Sequence, residues 1–207
     1  MGEIPAEEFT ALYEHFSLHP IPVNKYRNVS GTGRSQTLGI VGRRCLPPDY
    51  SRMNWHRPFT LKLLKEFADK WVPIPWNAVT INQSYKAAPH RDKNNVGPSF
   101  LVAFGNYQGG ALKIHEGDRK GVWDIKHRPI IHDFSKDLHS VQDFVGHRFS
   151  LVFYWYDLKG VELPGWDVKM INDQWRFFRG DQMITKKTGL PHPLRHPKPV
   201  SSYDVTP

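Results

Sequence analysis

From Val79 onward the chain breaks into short runs of alternating apolar and polar residues, and this constrains the fold most. "AVTINQSY", "PSFLVAFG", "GALKIHEG", "GVWDIKH", "PIIHDF", "LHSVQDF" and "RFSLVFYWY" each read as a strand. Turn residues, among them Gly109, Gly110, Gly117 and Gly146, divide them. Connections this short leave no room for crossover helices, so the strands must pair mainly antiparallel. A sandwich or jelly-roll barrel follows. The expected class is mainly β with N-terminal helices, in one domain of 207 residues. A helical and mixed part spans 1–78, the β core 79–157, and an irregular basic part 158–207.

Two segments ahead of the core carry helical spacing. "PAEEFTALYEHF" sets Phe9, Leu12, Tyr13 and Phe16 on one face, behind acidic residues suited to a helix start. "PFTLKLLKEFADKWV" groups Leu61, Leu64, Phe67, Ala68 and Trp71 opposite lysines, and should stop before Pro73. Both are packing helices with no assigned chemistry. Between them, "NVSGTGRSQTLGIVGRR" is rich in glycine but lacks the Gly-Lys-Ser/Thr ending of a phosphate loop. It reads as a turn leading into a strand from Gln36 to Val41.

The chain carries one His-x-Asp, His90 and Asp92, in "PHRDKNNVGPS". Residues i and i+2 at a strand end project to the same side, so both can reach one metal ion. Two imidazoles and one carboxylate on one face of Fe(II) leave positions open for chemistry. A third ligand should come from a distant strand, with a cation nearby to pair a dicarboxylate cosubstrate. "LHSVQDFVGHRFSLVFY" supplies both: His139 precedes Arg148 by nine residues, and Ser150 shares the face of Arg148. His127 with Lys136 competes but fails, because Lys136 sits in the polar turn "FSKDLH". His132 and His147 have no cation suitably placed after them. A buried arginine is costly alone, and a dicarboxylate is its natural bidentate partner.

The set His-x-Asp, distal His and Arg-x-Ser resembles the Fe(II)/2-oxoglutarate-dependent dioxygenases with a double-stranded β-helix core, over roughly Val79 to Tyr156. The resemblance implies that His90, Asp92 and His139 bind Fe(II), with O2 and 2-oxoglutarate as cosubstrates. Arg148 and Ser150 would hold the far carboxylate, with Asn82 and Tyr85 as further cosubstrate contacts. "HRDKNNVGPS", "FGNYQGGAL", "GHRFSLVFY" and "GTGRSQTLG" are most similar to the TET/JBP branch, which oxidises the 5-methyl group of pyrimidines in nucleic acids. That likeness implies base contacts from Asn94 or Asn95, although the Cys-rich zinc module of animal members is missing.

The formal charge of +8, from 28 Lys+Arg against 20 Asp+Glu, suits an anionic partner, nucleic acid and DNA first. Arg34, Arg43, Arg44, Lys93, Arg176, Arg179, Lys186 and Lys187 are candidate phosphate contacts. A single cysteine, Cys45, excludes an intrachain disulfide. The N-terminus reads as no secretory signal and no apolar run could span a membrane, so the expected setting is intracellular, the nucleus included. A prolyl or other protein hydroxylase, or a small-molecule hydroxylase, on the same core is the alternative activity. A non-enzymatic basic β-domain that binds nucleic acid is the third reading.

Overall fold

The computed structural model describes residues 2–23, 31–43 and 45–185. After a 3-10 turn at Ala6–Phe9 come α1 (Thr10–Leu18), β1 (Gly31–Arg43), β2 (Leu46–Tyr50), α2 (Met53–His56) and α3 (Pro58–Trp71). The strands β3 (Ala78–Ala87), β4 (Ser99–Gly109), β5 (Leu112–Ile114) and β6 (Gly121–Trp123) follow. Then come β7 (Ile130–His132), β8 (His139–Val141) and β9 (Phe144–Tyr154). Last are β10 (Trp166–Ile171), β11 (Gln174–Arg179) and β12 (Gln182–Ile184). All seven strand readings of the core and both helices are borne out. No described helix is long and apolar enough to cross a membrane.

The large sheet runs β2-β1-β3-β9-β4-β7, and a smaller one runs β6-β5-β8, with every strand pair antiparallel. Strict alternation along β9 divides the protein into two layers. Phe149, Leu151 and Phe153 join Phe100, Val102 and Phe104 of β4 against the helices, where Phe9, Leu12, Phe16, Leu61, Leu64 and Phe67 complete the main core. Arg148, Ser150, Val152 and Tyr154 point the other way, into a cavity between the two sheets. Leu101, Ala103, Leu112, Ile114, Ile125, Ile130 and Phe134 form the second apolar cluster on that side.

Three features depart from the expectations. First, the strand expected from Gln36 to Val41 is present but begins earlier: β1 starts at Gly31, and Gly31 to Gly39 pair with β3 in place of a turn. Second, β2 contains Pro47 and Pro48, which argue against a strand. It survives as an edge strand, where a missing N–H faces no partner. Third, the part after Asp157 is not irregular throughout, because β10, β11 and β12 form a third sheet. Asn172 and Asp173 both adopt positive φ, 47° and 58°, in the tight turn between β10 and β11, and these residue types tolerate such backbone best after glycine. Val168, Phe177 and Ile184 of this sheet enter the main core.

On α1, His15 bonds Thr60 of α3 through Nε2 at 2.7 Å. Burial, with His19 and Arg57 adding positive charge beside it, pulls its pKa from 6.5 to about 4. The unfolded chain therefore takes up a proton at His15 first, and stability should fall as pH drops from 6.5 towards 4, then level off. After discounting for the solvent that reaches this half-buried ring, the loss is about 1–2 kcal/mol. Urea unfolding at pH 7 and pH 4.5 should show a smaller drop for His15→Gln than for the unsubstituted protein. Equal drops would remove His15 as a source.

Candidate metal centre

His90 and Asp92 lie in the connection from β3 to β4, and His139 opens β8. The backbones of His90 and His139 exchange two hydrogen bonds, His90 N to His139 O at 2.9 Å and the reverse at 3.0 Å. This isolated antiparallel bridge brings the rings within 4.2 Å, centroid to centroid. Asp92 N donates to Phe134 O at 2.9 Å, fixing the turn that aims its carboxylate. The candidate ligand atoms of the three side chains lie within 4.8 Å of one another.

Each ring is oriented by the carbonyl two residues before it. His90 Nδ1 meets Ala88 O at 2.8 Å, and His139 Nδ1 meets Asp137 O at 3.1 Å. A carbonyl only accepts, so both Nδ1 atoms carry the proton and both Nε2 lone pairs are left for a metal. Burial lowers the pKa of His139, against a pull upward from Asp92, which favours the neutral ring that a ligand must be. His90 Nε2 stands 3.5 Å from Asp92 Oδ1, while Asn95 Nδ2 reaches Asp92 Oδ2 at 3.4 Å and Ser99 Oγ at 3.3 Å. Two neutral imidazoles and a carboxylate on one side of a cavity fit Fe(II) with open positions.

The same cavity, of about 100 Å³, is lined by Arg148. Arg148 is 1% exposed, and among the described residues none of its three guanidinium nitrogens has a hydrogen-bond partner. It lies over the rings of Tyr107 and Phe144, 5.5 and 5.7 Å from their centroids. Burial pushes its pKa down, and the adjacent Tyr107 pulls it part of the way back up. A buried cation with five unused donors demands an anion, and a carboxylate matches its planar fork.

No protein-family model matches the sequence, and no curated protein does. Among solved structures, NgTET1 in complex with 5mC DNA aligns with a TM-score of 0.52 at 15% identity, over 74% of this chain and 69% of that one. The two share a fold. A 2OG-Fe(II) oxygenase family oxidoreductase from Burkholderia pseudomallei aligns with a TM-score of 0.47 at 18% identity, over 70% and 75%. A Pseudomonas putida prolyl-4-hydroxylase aligns with a TM-score of 0.45 at 13% identity, over 74% and 88%.

Asn82, Tyr85, Arg148 and Ser150 all line the cavity with the His-Asp-His group. Asn82 and Tyr85 are three residues apart, and simple alternation would put them on opposite faces. A bulge reconciles them: Thr32 pairs with Lys86 but Arg34 with Gln83, so β3 holds one residue more than β1 there. Ser84, with φ 46°, takes up the extra residue and returns Tyr85 to the inner face. Asn82 Nδ2 donates to Ser150 Oγ at 3.2 Å.

The residues expected to touch a base are placed less uniformly. Asn95 lines the cavity, but its amide nitrogen is directed at Asp92 and Ser99. Asn94 is exposed and outside the cavity lining. Arg34 is exposed on β1, its Nη1 donating to Ile21 O at 3.0 Å. Arg43 and Arg179 both approach Asp49, at 3.3 and 3.7 Å. Arg44, Lys186 and Lys187 lie outside the described residues. Thr80, Val152 and Tyr154 line the cavity without having been singled out. Counting in twos from Arg148 reaches Val152 and Tyr154, so the signal was present.

Proposed function

We propose that the protein is an Fe(II)- and 2-oxoglutarate-dependent dioxygenase that oxidises the 5-methyl group of a pyrimidine in DNA. The observation that carries the reading is the unpartnered Arg148 guanidinium in the cavity that holds His90, Asp92 and His139. A metal triad alone would suit many ions. A triad beside a buried cation suits a metal with a dicarboxylate cosubstrate.

His90, Asp92 and His139 hold the metal. Arg148 takes the far carboxylate of 2-oxoglutarate as a bidentate pair, with Ser150 donating to it and Asn82 holding the Ser150 hydroxyl. Tyr85 closes the polar end. Bound Fe(II), with O2 and 2-oxoglutarate, supplies the oxidising power for C–H hydroxylation, and the cosubstrate leaves as succinate and CO2. Leu101, Leu112, Phe134 and Val152 line the rest of the cavity and keep water from it.

The position of Arg148 depends on Gly110. A Cβ there would stand 2.9 Å from Arg148 Cδ and 3.0 Å from Nε, and the backbone at φ 68° already disfavours a side chain. Gly110→Ala should raise the 2-oxoglutarate requirement about tenfold, a loss of ~1.4 kcal/mol, with Fe(II) affinity unchanged. Titration of both with the same preparation checks this, and parallel losses would point to general damage instead.

The substrate reading is supported by the fold shared with NgTET1, itself solved with 5mC DNA, and by the charge of +8. A methyl group stacked inside a duplex cannot approach a buried metal, so the nucleotide must be flipped or single-stranded. Exposed Arg34, Asn94 and Lys93 are suited to the backbone around it. Mass spectrometry of nucleosides should find oxidised pyrimidine after incubation with Fe(II), 2-oxoglutarate and duplexes carrying 5-methylcytosine or thymine. A methylated RNA and a proline-rich peptide run beside them. Oxidised peptide with untouched nucleosides would make the protein a peptide hydroxylase and overturn the substrate reading.

A further inference from the structure

The metal cavity is small for its proposed task. Its volume is about 100 Å³, against ~300–1,000 Å³ for typical ligand sites. Such a space leaves little room for a base beside a bound cosubstrate. A second cavity, of about 450 Å³, adjoins it. Tyr154 lines both. Two other surface cavities, of about 610 and 380 Å³, share no lining residue with the metal cavity.

A hydrogen-bonded partition stands between the adjoining pair. Thr37 Oγ1 meets Thr80 Oγ1 at 2.8 Å, and Thr80 Oγ1 meets the Tyr154 hydroxyl at 3.2 Å. Thr37 lines the second cavity and Thr80 the metal cavity. The alternation of β9 explains this placement: from Arg148, every second residue faces inward, and Tyr154 is the last of them. Cosubstrate and primary substrate would therefore lie on opposite sides of one side chain.

We infer that the second cavity is the primary-substrate pocket and that it receives the flipped pyrimidine, with Tyr154 as the wall past which the methyl group reaches the metal. The inference rests on the function proposed above and adds where the base sits. The lining suits a planar, partly polar ring. Val41 and Met53 offer apolar surface, Tyr156 an aromatic ring, and Thr37 and Ser51 hydroxyls. The pocket is built mainly from β1, the β2–α2 connection, the start of α2 and the end of β9, far in sequence from Asn94 and Asn95.

Val41 and Met53 lie in the second cavity and not in the metal cavity, so they can be enlarged without touching the metal site. Met53→Trp fills the pocket from α2, and Val41→Phe fills it from β1. With Mn(II) in place of Fe(II), 2-oxoglutarate affinity measured by calorimetry should stay within twofold in both variants. Each should also keep the circular dichroism of the unsubstituted protein. The decisive probe is a duplex with 5-methylcytosine opposite an abasic site, compared with the same duplex lacking the base. The unsubstituted protein should bind the first at least tenfold more tightly, and the variants should lose that advantage while retaining salt-sensitive binding to both. If a folded variant that still binds 2-oxoglutarate keeps the advantage, the pocket assignment is wrong. If the unsubstituted protein binds 2-oxoglutarate but shows no advantage, the nucleic-acid reading fails and the pocket assignment falls with it.

Discussion

Arg148→Met will make the ligand-free protein more stable and leave it unable to respond to 2-oxoglutarate. The two effects have opposite signs, and both come from one buried guanidinium with no partner. Without an anion, folding strips water from that charge and returns no hydrogen bond. Methionine keeps most of the stem, fills the same channel beside Tyr107 and Phe144, and has no charge to desolvate. Replacing even paired buried charges with well-packed apolar volume is often neutral or stabilising by about 1–4 kcal/mol, and this charge has no pair. In a chain of this size each kcal/mol moves the melting temperature by roughly 2–4 °C. The unsubstituted protein should gain ~2.7 kcal/mol from 2-oxoglutarate at a hundred times its dissociation constant, and the variant should gain nothing. Thermal melts with and without 2-oxoglutarate, in Mn(II), read both halves. A variant less stable than its parent without ligand would mean that Arg148 has a structural partner after all.

His139→Ala will abolish succinate formation and lower metal affinity by well over a hundredfold, beyond the ~10–100-fold typical when only an outer-shell partner is lost. His139 is one of three side chains grouped closely enough to hold a metal ion, and its backbone bridge to His90 also sets the position of the second imidazole. Alanine preserves that bridge, so the loss should fall on the metal and not on the fold. His127→Ala is the matched control. Its ring stacks on Phe9, 5.0 Å between centroids, and lies outside the cavity lining. Metal titration and a succinate assay on both variants decide the matter. Full activity in His139→Ala with loss in His127→Ala would show that the third ligand was misassigned.

The site was legible because its parts obey local rules. His90 and Asp92 are two apart, and Arg148 and Ser150 are two apart, so period-2 facing brings each pair to one side. His139 could be chosen over its competitors because a strand cation follows it. Placing Asn82 and Tyr85 together was not derivable by alternation, since it depends on Ser84 adopting φ 46° opposite Gly33. A bulge is a tertiary decision that short sequence windows do not reveal. Pro47 and Pro48 hid β2, because proline is tolerated only on an edge and edges are set by the whole sheet. The hairpin of β10 and β11 did carry a signal, Asn172-Asp173 between Trp166, Val168, Phe177 and other strand-forming residues. The basic and proline-rich composition after Asp157 obscured it.

The centre of the large sheet pairs Ala78 with Tyr154, Asn82 with Ser150 and Ala103 with Ser150. Each pairing closes a long stretch of chain before any contact rewards it. Domains dominated by such non-local ladders fold in roughly milliseconds to seconds, orders of magnitude more slowly than helical bundles. The metal cavity inherits that timing. His90 and Asp92 meet His139 and Arg148 only once β3, β9 and β4 have zipped together, so no local fragment of the chain presents the assembled set of donors. A metal ion would meet all three donors only after these long-range pairings are in place.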